Sequence, residues 1–309
     1  MKIKYLTILL ILIVHANLLF AQQEIEILSD GLSLSGTILS PTNKANTVVL
    51  LISGSGNTNR DGNVLNAGYT NNSMKIIAET LNDNGIASLR YDKRGVGKSI
   101  NDTFNEAHLN FNQYVSDAIA CITYLQKEFD HVIIAGHSLG ALVGILAAQT
   151  TKVDKIICLA GISDSGYNTI KRQLSSQPKF AKDAAFPILD NIKNGNKVDS
   201  VPPFLAALFR PEIQGYLKSF ISYNPQEEIK KLNIPILIIQ GSTDIQITTE
   251  EAKKMGEANR RAKLILIDEM NHVLKRVSAD INKNLATYSN PNLPLHEDLM
   301  PHIIDFITK

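Results

Sequence analysis

His131-Val132-Ile133-Ile134-Ala135-Gly136-His137-Ser138-Leu139-Gly140-Ala141-Leu142-Val143-Gly144-Ile145-Leu146-Ala147-Ala148-Gln149 decides how the chain folds. The apolar, β-branched run at 131–135 predicts a strand buried on both faces. From Leu139 to Gln149 the residues are apolar for about three turns of helix. Between these segments Gly136-His137-Ser138-Leu139-Gly140 sets a serine between two glycines, so strand passes into helix through one sharp turn. Such a turn needs small neighbours, because the serine adopts a strained backbone while its hydroxyl projects outward. The helix then aims its first amides, and the positive end of its dipole, at the space above Ser138.

Outward from that turn the alternation of strand and helix continues. Residues 24–28 and 32–39 alternate apolar with polar around Asp30-Gly31, which predicts an antiparallel hairpin. The run 47–53 is apolar until it ends in Ser53-Gly54-Ser55-Gly56, another strand covered on both faces. A helix is predicted over 73–84, stopped by Gly85, then a strand over 86–91 and a glycine-bearing loop over 92–99. Tyr114, Ala118, Cys121, Ile122 and Leu125 fall at helical spacing within 110–129. Strands at 155–160, 236–240 and 263–267 and helices at 248–258 and near 296–307 complete the series. The fold class is α/β, a mostly parallel sheet with helices on both faces. The series pauses over 161–228, where Gly166, Pro178, Pro187, Gly195, Pro202-Pro203, Pro211, Gly215 and Pro225 separate short helical patterns. Roughly 65 residues exceed an ordinary loop and predict an inserted helical lid.

Composition narrows the classes without choosing a chemistry. The 309 residues are 44% hydrophobic and 20% charged, which excludes a disordered chain. Lys+Arg total 31 against 30 for Asp+Glu, so no basic excess recommends nucleic acid or an anionic membrane as partner. Residues 1–4 carry two lysines ahead of an apolar segment whose unbroken core, 8–14, is too short to span a bilayer. With Ala21 preceding Gln22-Gln23-Glu24, residues 1–21 read as a secretory leader and 22–309 as one domain bearing the insert. An uncleaved N-terminal anchor is the alternative; export, periplasmic or secreted, is the expected localisation. Cys121 and Cys158 lie in apolar segments, and no Cys/His cluster of metal-ligand spacing occurs, so no metal is expected.

A serine hydroxyl is a poor nucleophile at neutral pH and needs a base that is itself oriented by an acid. Asp244 follows the 236–240 strand in Gly241-Ser242-Thr243-Asp244, and His272 follows the 263–267 strand in Asp268-Glu269-Met270-Asn271-His272. The order serine, acid, histidine on successive strand-end loops fits such a relay. Asp164, Asp268, His296 and His302 are weaker competitors. Negative charge developing on a substrate oxygen needs two N–H donors: the amide of Leu139, and one from the loop after 47–53, where Ser55 is favoured over Gly54. Two decoys fail. Gly97-Lys98-Ser99 lacks the first glycine of a phosphate-binding loop, where Asp92 stands, and Gly54-x-Gly56 lacks the third glycine of a dinucleotide fingerprint at Asn59. Asp92 and Arg94 read as local ties of their loop, Arg60 and Asp61 as candidates to position a substrate.

From about residue 24 onward the chain resembles the α/β-hydrolase superfamily. The resemblance rests on Ser53-Gly54-Ser55-Gly56, Tyr91-Asp92-Lys93-Arg94-Gly95-Val96-Gly97-Lys98-Ser99, Gly136-His137-Ser138-Leu139-Gly140, Gly241-Ser242-Thr243-Asp244 and Asn271-His272. Within it, Ser-Gly-Ser-Gly followed by Arg60-Asp61-Gly62 is similar to a bacterial esterase subgroup often labelled serine aminopeptidase-like. The resemblance implies an eight-stranded type of sheet and cofactor-free acyl transfer through an acyl-serine. Ser53 stands where lipases of the His-Gly-Gly-Gly type carry histidine, and a serine nucleophile disfavours dehalogenase or epoxide hydrolase chemistry. The expectation is a secreted serine hydrolase of small-molecule carboxylic esters. An amidase or aminopeptidase of the same fold and a catalytically silent binding protein are the alternatives. The insert's Phe180, Phe186, Phe204, Phe209, Tyr216, Phe220 and Tyr223 suggest either an apolar acyl pocket or the insert's own packing.

Overall fold

The computed structural model describes residues 21–102 and 104–309. The leader expected over 1–21 lies outside them except for Ala21, where the first strand begins. Strands β1 (Ala21–Ser29) and β2 (Leu32–Ser40) form the expected hairpin. Asp30 and Gly31 both have positive φ, 47° and 77°, as a tight two-residue hairpin turn requires. The remaining strands are β3 (Thr47–Ile52), β4 (Ala87–Tyr91), β5 (His131–His137), β6 (Lys155–Leu159), β7 (Ile236–Gly241) and β8 (Ala262–Ile267). They make one eight-stranded sheet in the order β1-β2-β4-β3-β5-β6-β7-β8. β2 runs antiparallel to β1 and β4, and every other pair is parallel.

The continuous apolar runs have a direct cause. In β3, Val48, Leu50 and Ile52 point to one core while Val49 and Leu51 point to the other, and all five are buried. On the first face lie α2 (Phe111–Leu125), α3 (Leu139–Ala148) and α9 (Thr249–Ala258). The opposite face is covered by α1 (Ser73–Asp83) through Met74, Ile77, Ala78 and Leu81, and by α11 (Leu299–Thr308) through Leu299, Met300, Ile303 and Ile307. The starts of α2 and α9 are fixed by reciprocal capping boxes, Asn110 with Gln113 and Thr248 with Glu251. Among the described residues, no helix is long and apolar enough to cross a membrane.

The segment 161–228 is helical, as its length implied. It holds α4 (Gly166–Ser175), α5 (Lys179–Lys193), α6 (Ala206–Phe209), α7 (Gln214–Ile221) and α8 (Pro225–Ile229). Pro187 does not end its helix, contrary to its reading as a separator: α5 runs through it for 15 residues. One face of α5 buries Ala181, Ala185, Ile188, Leu189 and Ile192, which outweighs a cost of about 3 kcal/mol for an internal proline. The insert's base is closed, with Gln226 Nε2 donating to the Ser163 carbonyl at 2.7 Å. The Phe220 ring also packs where a side chain at Gly166 would stand. Its aromatics serve mainly as packing: Tyr216, Phe220 and Tyr223 surround Phe111 at the start of α2, with ring centroids 5.5–6.2 Å away. Phe180 and Phe204 instead meet each other in the open.

The loop after β4 is a bundle of buried ion pairs. Arg94 Nε donates to Asp117 Oδ2 of α2 at 2.8 Å, and Nη2 to Oδ1. Asp92 Oδ2 receives Arg60 Nη2 at 2.9 Å and the Lys98 amide at 3.0 Å, while Oδ1 receives the Arg60 amide at 2.8 Å. Arg60 Nη1 donates to Glu24 and Thr37 and Nη2 also to Ser35, and Arg90 pairs with Asp61. Arg60 and Asp61 are thus committed to the scaffold. Removing one member of a buried pair strands the other charge in a low dielectric. Asp117→Ala is therefore expected to lower unfolding free energy by about 3 kcal/mol, read as an earlier denaturant midpoint at unchanged slope. A midpoint equal to wild type would contradict the structural role of the pair.

Candidate active site

Ser138 stands at the junction of β5 and α3 with φ 54° and ψ −119°, a conformation costly for any residue with a side chain. Three backbone hydrogen bonds hold it there: its amide to the Leu159 carbonyl at 2.9 Å, and its carbonyl from Ala141 at 3.1 Å and Ile162 at 3.3 Å. The flanking glycines are required by contact. A Cβ on Gly136 would strike the Gly140 carbonyl, and one on Gly140 would strike the carbonyls of Ile52 and Ser53. The first turn of α3 therefore presses against the ends of both β5 and β3. Leu139 opens the helix, so its amide belongs to the turn whose N–H groups have no partner within the helix.

The loops after β7 and β8 bring Asp244 and His272 together, with His272 Nδ1 2.8 Å from Asp244 Oδ2 and both side chains buried. Gly241 permits the approach, since a Cβ there would meet the Met270 carbonyl. The Thr243 amide donates to that same carbonyl at 3.1 Å. The Asp244 carboxylate also accepts from the Gln246 and Ile247 amides at 2.7 and 3.0 Å and from Gln240 Nε2 at 2.9 Å. Burial acts to raise the Asp244 pKa. The charge and hydrogen bond of His272, with the Ile247 amide and Gln240, outweigh it and hold the carboxyl below its ordinary 3.8. A short helix absent from the sequence reading, α10 (Ile281–Ala286), braces both loops. Its Asn284 donates to the Thr243 carbonyl at 2.7 Å, and Asn271 bonds Asn284 and Thr287.

His272 reaches Ser138's surroundings through His137. The His137 Nε2–H donates to the His272 carbonyl at 2.8 Å, and the two rings lie 4.9 Å apart. Burial, then the neighbouring His272, pushes the His137 pKa down to about 3, so this ring is a neutral donor at physiological pH. Among the described residues no hydrogen bond joins Ser138 Oγ to His272, a contact that often tightens only when substrate is bound.

The loop after β3 closes over the serine. A methyl added to Gly54 would lie 3.3 Å from Ser138 Cβ and 3.2 Å from His137 Nδ1, tighter than ordinary contact, so a larger residue would push these neighbours back by a few tenths of an ångström. Among the described residues the Ser55 amide has no acceptor. Behind the loop Lys93 is buried, donating to Ser53 Oγ at 3.0 Å, the Gly54 carbonyl at 2.7 Å and the Thr58 carbonyl at 2.7 Å. Burial lowers its pKa to about 7 against the opposing charge of Asp92.

The structure thus gathers Ser138, Asp244, His272, Ser55 and Leu139 at the C-terminal ends of β3, β5, β7 and β8. It leaves the competitors elsewhere: Asp164 turns back on Ser165 and Asn168, Asp268 accepts from Ser242, and His296 is buried beside Asp298. His137, Lys93 and Asn271 were missed as supports, although each lies inside a segment that drew attention. Three consecutive charged residues, Asp92-Lys93-Arg94, at the end of a strand buried throughout were the available signal.

With this sheet order and a serine on a strained strand-to-helix turn, the molecule has the α/β-hydrolase fold. Residues 65–201, which include Ser138, match the family described as serine aminopeptidase, S33. Esterase EstD of Thermotoga maritima is 26% identical over 231 residues, 73% of this chain and 54% of that protein. Human protein ABHD12B is 27% identical over 197 residues, 61% of this chain and 46% of its own. The chain therefore spans about half the length of these relatives. Est1E of Butyrivibrio proteoclasticus, solved with ferulic acid bound, superposes with a TM-score of 0.64 at 20% identity, covering 92% of this chain and all of that one.

The contact between α3 and β3 yields a direct test. Gly140→Ala drives a methyl into the Ile52 carbonyl at the end of β3 and the Ser53 carbonyl just beyond it, so stability should fall by about 1–3 kcal/mol. A thermal midpoint unchanged from wild type would show that the helix can slide away from β3.

Proposed function

We propose that the chain is an exported serine hydrolase that cleaves carboxylic esters of small or acyl-chain substrates through an acyl-serine. The observation that carries the reading is the buried Asp244–His272 pair at 2.8 Å, tied by the His272 backbone to the residue preceding Ser138. In this scheme Ser138 Oγ adds to the acyl carbon and its proton passes to His272 Nε2. Asp244 holds the other ring nitrogen, which fixes the tautomer and stabilises the imidazolium. The C–O bond to the alcohol breaks, and His272 returns the proton to the leaving oxygen. Water then repeats the cycle against the acyl-serine, releasing a carboxylic acid and restoring Ser138. The amides of Leu139 and Ser55 stabilise the oxyanion in both halves. Similarity to esterases supports the choice of ester, and the lysine-then-apolar segment over 1–21 supports export.

Amide cleavage is the second reading, favoured by the match of 65–201 to a family described as aminopeptidases. The same relay acts on both bonds, so turnover of acyl nitrophenyl esters against aminoacyl anilides separates them; faster anilide turnover would reassign the substrate.

A fluorophosphonate probe is expected to label wild type at Ser138 and to leave Ser138→Ala unlabelled, with ester hydrolysis lost. Asp244→Asn, which keeps the shape but reverses the tautomer preference, should lower kcat by about 10⁴-fold. A folded wild type that resists the probe would return the chain to a binding role.

A further inference from the structure

We propose that Lys93 is a positioning residue that fixes the Gly54–Ser55 peptide so that its N–H faces the oxyanion. The proposal rests on the ester-hydrolase reading and adds to it a residue outside the relay. A lysine ammonium carries three donors, and each of the three is used. They go to Ser53 Oγ, the Gly54 carbonyl and the Thr58 carbonyl, at 3.0, 2.7 and 2.7 Å. One cation thereby clasps both ends of the 53–58 turn, and Ser53 Oγ adds a bond of its own to the Thr58 carbonyl at 3.2 Å. The contact with Gly54 matters most, because the Gly54 carbonyl and the Ser55 N–H belong to one peptide plane.

No described peptide bond is cis, so C=O and N–H point in opposite directions across that plane. With the carbonyl turned inward to Lys93, the N–H is turned away from the protein interior. Ser55 is exposed, its amide has no acceptor among the described residues, and Gly54 abuts Ser138. In its protonated form Lys93 also sets a positive charge against the carbonyl oxygen, which polarises the amide and strengthens the N–H as a donor. Gly54 and Ser55 need such restraint, since a glycine beside an exposed turn otherwise rotates its peptide freely. Lys93 in turn is held by its place in the loop, between Asp92 bound to Arg60 and Arg94 bound to Asp117.

The test compares wild type, Lys93→Met and Lys93→Gln in hydrolysis of a short acyl nitrophenyl ester and in inhibition by an alkylboronic acid, which mimics the tetrahedral state. Lys93→Met is expected to lose kcat by about 10- to 100-fold, less than deleting a donor outright, while KM stays within about threefold. Boronate affinity should fall in parallel with kcat. Lys93→Gln, whose amide can still donate to the Gly54 carbonyl, should recover most of the loss. A role in stability alone would instead lower the melting temperature and leave kcat per folded molecule and boronate affinity at wild-type values, which overturns the proposal. Should Lys93→Met not fold, Lys93→Ala, which leaves room for water around the three freed acceptors, carries the same comparison, and wild-type boronate affinity together with wild-type kcat in that variant overturns the proposal. Ser138→Ala distinguishes the two levels. If it remains active the hydrolase reading itself fails, whereas if it is inactive and the Lys93 variants behave as wild type only the role of Lys93 fails.

Discussion

Much of this molecule follows from one close approach, that of the first turn of α3 to the carbonyls ending β3. Gly140 sits against Ile52 and Ser53 with no room for a methyl, and Gly136 sits against Gly140 in the same way. Because helix and strands meet there without side chains between them, Ser138 is forced to φ 54° rather than relaxing into the helix. The strain is supported by hydrogen bonds to Leu159, Ala141 and Ile162, so the surrounding structure over-determines it. The same contact carries the loop after β3 past the serine, and this is why Gly54 lies against both His137 and Ser138.

Around that contact the charged residues form a frame. Asp92, Lys93 and Arg94 follow each other in sequence and reach three different parts of the fold. Asp92 meets Arg60, Lys93 meets the 53–58 turn, and Arg94 meets α2. Three buried charges in a row would be prohibitively desolvated without partners, and each has them. The histidine loop is held by different means, from the neutral His137 on one side and Asn271 with α10 on the other. Two independent supports converge on a small volume above the sheet.

The sheet, the strained turn at Ser138 and the pairing of Asp244 with His272 were legible because they are written in short-range patterns: apolar runs, a glycine spacing, and residues just past strand ends. Elements were misplaced where tertiary contacts decide. The helix α10 buries only Asn284 within itself, so its apolar periodicity is weak and its existence depends on polar contacts to Thr243 and Asn271. Helix α5 passes Pro187 because the insert's core rewards one continuous face, which local propensity does not register. The supports Lys93 and His137 were obscure for a related reason. Their partners are backbone carbonyls 39 and 135 residues away, and a carbonyl has no signature in sequence. Arg60 and Asp61 looked available for substrate only because their partners in β1, β2 and β4 and at Asp92 are equally remote.

The clasp at the root of the insert gives it a modular character. Ser163 and Gln226 meet, and Phe220 fills the space at Gly166, so the chain leaves the sheet and comes back almost where it left. Loop closure costs only about 0.6 kcal/mol for each doubling of length. Helices exchanged between those points must still cover Phe111 of α2, on which Tyr216, Phe220 and Tyr223 sit. A new roof for this molecule therefore has to match the floor at α2 as well as at its own root.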